Sequence, residues 1–504
     1  GGHVNHRLGR EPGRWPVTIS MPSVNYLAIA PILVLLGGSL LLMMTAALTK
    51  SRISLRVATT LAAGTCGIAA VIALFQWSDV SSHGESTTLA HAIAYDGFGV
   101  LASGTIAVAT LLATLSAHDW IARARTVGIE FHILLLASAS GAMMMAQAND
   151  LIVVFLGLEI LSIGLYVLVA YDRHRSTSSE AALKYLLLGG FASALFIYGA
   201  ALTYGGTGTT TLTGIAYFMA HNFILQPGVL VAGIGLMLVG FAFKVAAVPF
   251  HSWSPDVYEG APSPVTGFMA SVVKIGAFAG VVRILIEALS TQAMAWRPLV
   301  CALVILSTFL GAGLAVLQRN IKRLLAYSSI NHAGFMLLGL WSATPRGVAG
   351  TLYYVMTYAP VVIATFTIVS LRGGANEDCH DIESYRGLAR RQPLLGAALA
   401  TLLLSQAGAP FTTGFYAKFA VVTAAVDAGG AWLGVVVMMA ATIAGYFYVR
   451  LVLSLYDLTG SPSEVTVPRP SAVVIGIGAV SALVFGVWPG PLESLAHHAV
   501  LLLP

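Results

Sequence analysis

Residues 240–274 read GFAFKVAAVPFHSWSPDVYEGAPSPVTGFMASVVK. The stretch opens as an apolar run fit to cross a bilayer, yet it holds Lys244 inside that run and breaks at Pro249. A lysine near the bilayer centre costs about 2.5–3.5 kcal/mol on insertion scales, so such residues face a bundle interior or water and mark ion pathways. Proline removes a backbone donor, and a broken helix survives at membrane depth only where protein or water satisfies the freed groups. Broken helices also set dipole ends beside a buried site. The stretch therefore predicts a membrane bundle and the place where it works.

The rest of the chain agrees. Apolar residues fill 57% of 504 positions and charged ones only 9%, against about 25% charged in soluble domains. The chain reads as an all-α, polytopic membrane protein. A net charge of +5 would point to nucleic acid in a soluble protein; here the basic residues lie mostly in short loops, where they set orientation, so the partner is the lipid bilayer and no nucleic acid is expected. Cys66, Cys301 and Cys379 form no metal or haem spacing, and neither a dinucleotide fingerprint nor a phosphate loop is present. No cofactor or metal site is expected in this chain.

From Tyr26 onward about fourteen runs are long enough for a hydrocarbon core about 30 Å thick. Leu212 to Leu225 reads as a weakly amphipathic surface piece. Lys50, Arg52, Arg56, Arg123, Arg125, Arg173, Arg175, Arg319, Lys322, Arg323, Arg372, Arg386, Arg390 and Arg391 all fall in loops on one side, while Asp79, Glu85, Asp96 and Asp150 fall on the other. The positive-inside rule makes the basic side cytoplasmic and puts both termini outside, in a bacterial plasma membrane. Residues 1–20 are polar and basic and would break that rule, so they read as an upstream extension or cloning scar.

Four intramembrane residues share an offset. His332 lies 173 residues beyond Glu159, and Lys418 lies 174 beyond Lys244. The offset covers five spans, an odd number, so two such units must be inverted relative to each other. The expected division is 21–127 for three leading spans, 128–290 and 291–458 for two inverted five-helix units, and 459–504 for a final span. Run twelve repeats the break of run seven, with 407–410 reading AGAP before Lys418.

Each ionisable residue also has a plainer reading. Glu159 could be a satisfied buried carboxylate, Lys274 and Lys184 could snorkel to an interface, His332 could be a hydrogen-bonded core histidine, and Lys418 could be structural. As a set, Glu159, Lys244, Lys274, His332 and Lys418, with Lys184 more weakly, read as a proton pathway. Were Glu159 within about 4 Å of Lys244, their attraction would reach about 4 kcal/mol at an effective dielectric near 20. Burial favours the neutral amine and a close carboxylate the charged one, so a pair that opens and closes loads and releases a proton. At about 20 Å the same attraction falls below 1 kcal/mol, so coupling must pass between neighbours. Asp256, Glu259 and His251 read equally as a surface cap or as entry groups. His132 and the methionines at 143–145 read as packing. The acidic run 376–391, NEDCHDIESYRGLARR, fits no metal spacing and reads as a solvated loop leading into a short basic helix.

The segments FKVAAVPFHSWSPDVYEGAPSPVT (243–266), LGLEILSIGLYVLVAY (156–171), ALKYLLLGGFASALFIYG (182–199), IKRLLAYSSINHAGF (321–335) and IESYRGLARRQP (382–393) carry a resemblance. Together they resemble the antiporter-like membrane subunits of respiratory complex I, from about run four to run thirteen. The Tyr258-Glu259-Gly260-Ala261-Pro262 loop is similar to that of one particular type among them. The resemblance implies two inverted five-helix units with broken helices seven and twelve, and it matches Glu159, Lys244, Lys274 and Lys418 to the family's buried glutamate and lysines on a hydrated axis. It also implies that NADH, FMN, iron-sulfur clusters and quinone belong to partner subunits of an NADH:quinone oxidoreductase. The expected partners are further antiporter-like subunits and small membrane subunits. Two departures stand out: the second break reads Gly408-Ala-Pro-Phe411-Thr-Thr-Gly414, where the family commonly has Gly-Ile-Pro-Pro or Gly-Ile-Pro-Met, and Gln406 and Asn331 put polar groups where small or apolar ones are usual. A multisubunit sodium/proton antiporter and a hydrogenase- or ferredoxin-driven complex are the other readings. A mere scaffold would leave several costly buried charges without purpose.

Overall fold

The computed structural model describes residues 24–48, 53–124, 126, 128–224, 226–374, 377, 379–459, 463–499 and 501. The reading of residues 1–20, and the loop positions of Lys50, Arg52 and Arg125, lie outside them.

Every run of the sequence becomes a helix. Twelve of these helices are long and apolar enough to cross a membrane, from Tyr26–Leu48 to Arg469–Val487. The remaining two of the expected fourteen are Ile321–Trp341, whose polarity comes from Lys322, Arg323, Asn331 and His332, and a span cut into Pro393–Ala407 and Thr413–Asp427. The first cut span is Pro227–Lys244 followed by Trp253–Gly260. Both breaks expected from sequence are thus present. Because successive spans alternate in direction, the chain enters the first broken span from one membrane face and the second from the other.

Helix ends follow ordinary capping chemistry. Ser54 accepts from Val57 N, Asp150 from Ile152 N, Asn320 from Lys322 N and Arg323 N, and Thr344 from Gly347 N, each satisfying donors that a helix start leaves open. Small residues let helices approach closely: a Cβ on Gly157 would stand 2.9 Å from the Gly141 carbonyl oxygen of the preceding helix.

Two helices form the centre. The most apolar window of Ser263–Ala288 is 94% buried and that of Pro345–Gly373 is 89% buried, whereas that of Arg469–Val487 is only 28% buried. Outer helices keep broad apolar faces for lipid or partner chains. Ser263–Ala288 is also irregular, with π-helical turns at Met269–Val273 and Arg283–Ala288.

Three smaller elements complete the fold. Leu212–His221 is the surface helix expected near 212–225. Its preceding residue Thr211 bridges Asp150. A hairpin of Ser86–Thr88 paired antiparallel with Ile93–Tyr95 was not legible, since three-residue strands carry no measurable alternation. The hairpin is tied down by Ala94 N donating to the Gln147 carbonyl and Asn149 N to the Ala92 carbonyl.

Candidate functional site

At the first break the backbone turns through Ala246, whose φ of 58° is a left-handed conformation that costs a non-glycine residue about 1–3 kcal/mol. The helix-end carbonyls are satisfied without Lys244: Ala246 N and Trp253 Nε1 donate to the Phe243 carbonyl, and Ala247 N to that of Ala242. Val248 N donates to Ser307 Oγ. The Lys244 amine is left for side chains. It donates to Ser162 Oγ at 2.7 Å and to Tyr185 OH at 3.2 Å. Beside it lies a cavity of ≈ 10 Å³ lined by Ser162, Tyr166, Gly189, Ser193 and Gly240, about the room of one water.

Glu159 stands one helical turn before Ser162 on the same face. The close Glu159–Lys244 contact considered from sequence is not formed; the Ser162 hydroxyl holds the amine instead. Glu159 is half-buried, and its Oε1 has no hydrogen-bond partner.

Lys274 follows directly on the π turn Met269–Val273 and donates to the Ser329 carbonyl, with its amine 5.8 Å from the centroid of Tyr358. Tyr258 OH reaches Ser329 Oγ at 3.3 Å. His332, three residues on from Ser329, is held at both nitrogens: Nδ1 to Tyr354 OH at 2.7 Å and Nε2 to Tyr448 OH at 3.1 Å. Its ring lies 4.7 Å from that of Tyr358. A second cavity of ≈ 10 Å³ runs from His332, Tyr354 and Tyr358 to Ser405, Gln406 and Ala417, the residues around Lys418.

Lys418 is held differently from Lys244. Its amine donates to the carbonyls of Gln406 (3.3 Å) and Ala407 (2.6 Å), so it caps the cut end of Pro393–Ala407, the negative end of that helix dipole. It lies 5.1 Å from the Phe335 ring. The unusual polar residues noted in sequence serve packing: the Gln406 amide donates to Thr365 Oγ1 and the Asn331 amide to the Thr308 carbonyl. A Cβ on Gly414 would stand 1.7 Å from the Ser405 carbonyl oxygen. Gly414→Val is therefore expected to separate the two halves of this span and sharply reduce the folded protein in the membrane, measured by membrane immunoblot and thermal stability; wild-type levels would refute the close approach.

Lys244, Lys274, His332 and Lys418 are all at most 5% exposed. Among the described residues none of the three lysines has a carboxylate partner in an ion pair. A buried charge without a counter-charge is costly, so each amine is sensitive to any proton or dipole that comes near. The Lys244 and Lys274 groups share no hydrogen-bond partner, whereas the Lys274, His332 and Lys418 groups adjoin one cavity or one aromatic cluster.

Lys184 lies apart from this axis. It is 41% exposed and pairs with Glu180 and Asp256, both at 2.8 Å, and Asp256 and Glu259 in turn pair with Arg323. It belongs to an ion network joining the first broken span to its neighbours, in which Asp256 and Glu259 also take part.

The acidic run 376–391 is corrected in part. The short basic helix Leu388–Arg391 forms, but Glu377, His380 and Tyr385 are buried rather than solvated. Glu377 accepts from Ser263 N (3.0 Å), Ser263 Oγ (2.5 Å), Lys322 Nζ (3.3 Å) and His380 Nε2 (2.8 Å). Burial alone would raise its pKa, but Lys322 and the other donors outweigh that and hold it well below the usual carboxylate range. The interaction fastens the start of Ser263–Ala288, the helix of Lys274, to the loop after Pro345–Gly373.

Reading by residue type missed the tyrosines, because Tyr passes for a packing residue; the i, i+4 spacing of Tyr354 and Tyr358 was the available signal. It also passed over Arg283 and Glu287, an opposite-charge i, i+4 pair inside an apolar span.

Comparison with known proteins bears on this arrangement. Residues 148–444 match the family described as NADH:quinone oxidoreductase/Mrp antiporter, TM. The chain is similar to NADH-quinone oxidoreductase subunit N of Mycobacterium tuberculosis, 36% identical over 528 residues covering 96% of this chain and 99% of that one. It is also similar to the subunit N of a Parafrankia species, 38% identical over 511 residues covering 95% and 96%. Among solved structures it superposes on a chain of respiratory complex I from Thermus thermophilus with bound aureothin, with a TM-score of 0.78, 31% identity, and coverage of 93% of this chain and 99% of that one.

Proposed function

The chain belongs to the NADH-quinone oxidoreductase subunit N family, and from that membership we propose that Lys244, Lys274, His332 and Lys418, with Glu159 beside the first, carry protons across the membrane. The chain is a membrane-arm subunit of complex I, among the other subunits of that complex. NADH oxidation and quinone reduction, with FMN and iron-sulfur clusters, fall to those partners. Both termini lie on the outer face of a bacterial plasma membrane, on the strength of the basic loops alone.

One observation carries the reading: three buried lysine amines sit at a helix break or a wide turn, held by hydroxyls and carbonyls and by no carboxylate. Such an amine changes its protonation when a neighbouring charge or a water arrives, and water-sized cavities adjoin two of the sites. Electron transfer elsewhere drives the cycle by shifting those neighbours.

The test is NADH-driven proton uptake by inverted vesicles in sodium-free medium, divided by electron transfer in the same vesicles, for Lys274→Met. A lowered ratio is expected with the complex assembled. Uptake that requires sodium, or a ratio equal to wild type, would overturn the reading.

A further inference from the structure

Besides the lysine axis and the Glu377–Lys322 pair, a further cluster of charges is enclosed among the described residues. Arg283 is 0% exposed and Asp96 0%, with Glu287 at 1%. The guanidinium donates to both oxygens of Asp96, Nη1 to Oδ2 at 2.8 Å and Nη2 to Oδ1 at 2.7 Å, and Nε donates to the Ala146 carbonyl. Nη1 also donates to Glu287 Oε2 at 2.9 Å. Glu287 Oε1 has no partner, and neither polar atom of Gln147 has one. Gln147 packs against this cluster: a Cβ on Gly99 would stand 2.9 Å from Arg283 Nη2 and 3.1 Å from both Asp96 Oδ1 and Gln147 Cγ.

The charge count is unbalanced. Asp96 already neutralises Arg283 through the two-pronged geometry that guanidinium and carboxylate prefer. A second ionised carboxylate would leave a buried net charge of minus one, at a cost of several kcal/mol per ion. A proton on Glu287 removes that cost. Among the described residues Asp96 and Arg283 are the charged groups against Glu287; the surface helix Leu212–His221, which packs on this turn, adds Tyr217 and His221 as titratable side chains, both exposed.

Placement gives this proton a role. Arg283 and Glu287 lie in the π turn Arg283–Ala288, and Lys274 follows the π turn Met269–Val273 of the same helix. Such wide turns recur at functional sites. Thirteen residues separate Lys274 from Glu287, about 20 Å along a helix, on the face opposite the basic loops. Ser290, three residues beyond Glu287, is exposed. A small apolar cavity lined by Phe98, Ile275, Phe278 and Val282 follows the helix between the two stations, and Phe98 lies 5.4 Å from the guanidinium.

We propose that Glu287 is a proton-release group: it holds a proton as a neutral acid in this packed state, receives it from the Lys274 route through water admitted beside the helix when the packing opens, and gives it up to water past Ser290, with Arg283 and Asp96 holding the carboxyl in place. The inference rests on the proton-carrying reading above. It is tested on the whole complex in membranes by infrared difference spectroscopy across pH, together with the proton-to-electron ratio. Wild type is expected to show a protonated-carboxyl band that Glu287→Asp shifts and Glu287→Gln abolishes, and Glu287→Gln is expected to lower the ratio. Should Glu287→Gln fail to assemble, the shift in Glu287→Asp still reads the group. Absence of any acid band that responds to Glu287→Asp overturns the proposal, as does a band lost in Glu287→Gln with an unchanged ratio. Lys244→Met in the same assay separates the two ideas: a normal ratio there removes the proton-carrying reading itself, while a lowered ratio there with a silent Glu287 removes only the release group.

Discussion

Lys244→Met is expected to leave complex I assembled and to lower the number of protons taken up per electron transferred. Methionine matches the length of the lysine stem. Its loss of the amine leaves Ser162 with its bond to the Leu158 carbonyl and deprives Tyr185 of one contact, at about 1–3 kcal/mol for an unsatisfied buried group. Against that, removing a buried amine that has no carboxylate partner removes a desolvation cost. Folding should therefore tolerate the change, and the thermal transition of the purified complex should stay near that of wild type. Pumping should not, because among the described residues Lys244 carries the only buried lysine amine at this break. Lys244→Arg makes the test sharper: a guanidinium keeps the charge and does not give up its proton at working pH, so it too should lower the ratio. If Lys244→Arg pumps normally, the position needs charge and not proton exchange, and its assigned role fails.

Glu377→Ala is expected to be among the most destabilising single changes in the chain. It leaves Lys322, at 0% exposure, without its carboxylate and strips the cap from Ser263. Removing one partner of a buried ion pair costs about 3–5 kcal/mol. The measurement is the yield of assembled complex and its thermal transition, with Lys322→Met and the double variant Glu377→Ala/Lys322→Met completing a cycle. The double variant should recover part of what either single change loses; strictly additive losses would show that the pair does not act together. Acid sensitivity follows with a definite sign. Because the folded pKa of Glu377 is depressed, its contribution is fully present above the usual carboxylate range and is lost progressively as pH falls from that range down through the folded value. Glu377→Gln should flatten that acid limb.

Much of the site was legible one residue at a time. Lys244, Lys274 and Lys418 stand in apolar runs where a charge is costly, so each announced itself regardless of its neighbours. The breaks at Pro249 and Pro410 were legible for the same reason. Misreadings came where the same residue type serves two settings. The run 376–391 has the composition of a solvated loop, yet it folds back so that Glu377 meets Ser263, 114 positions away, and Lys322, 55 away. Lys184, read weakly as a member of the axis and equally as a snorkelling side chain, pairs with Asp256, 72 positions away, a partner no single span discloses.

The amino-acid order alone therefore determined the membrane class, the approximate number of spans, the two breaks, and which costly residues must face inward. Transfer from water to hydrocarbon acts on each span separately, so its imprint is local. The partners of those residues were settled by how the helices pack. Ser162 rather than Glu159 holds Lys244, helix-end carbonyls hold Lys418, and Asp96 reaches Arg283 across 187 positions. In a bilayer a buried polar group must find a partner inside the protein, and which one it finds depends on the approach and rotation of neighbouring helices, information that no single span contains.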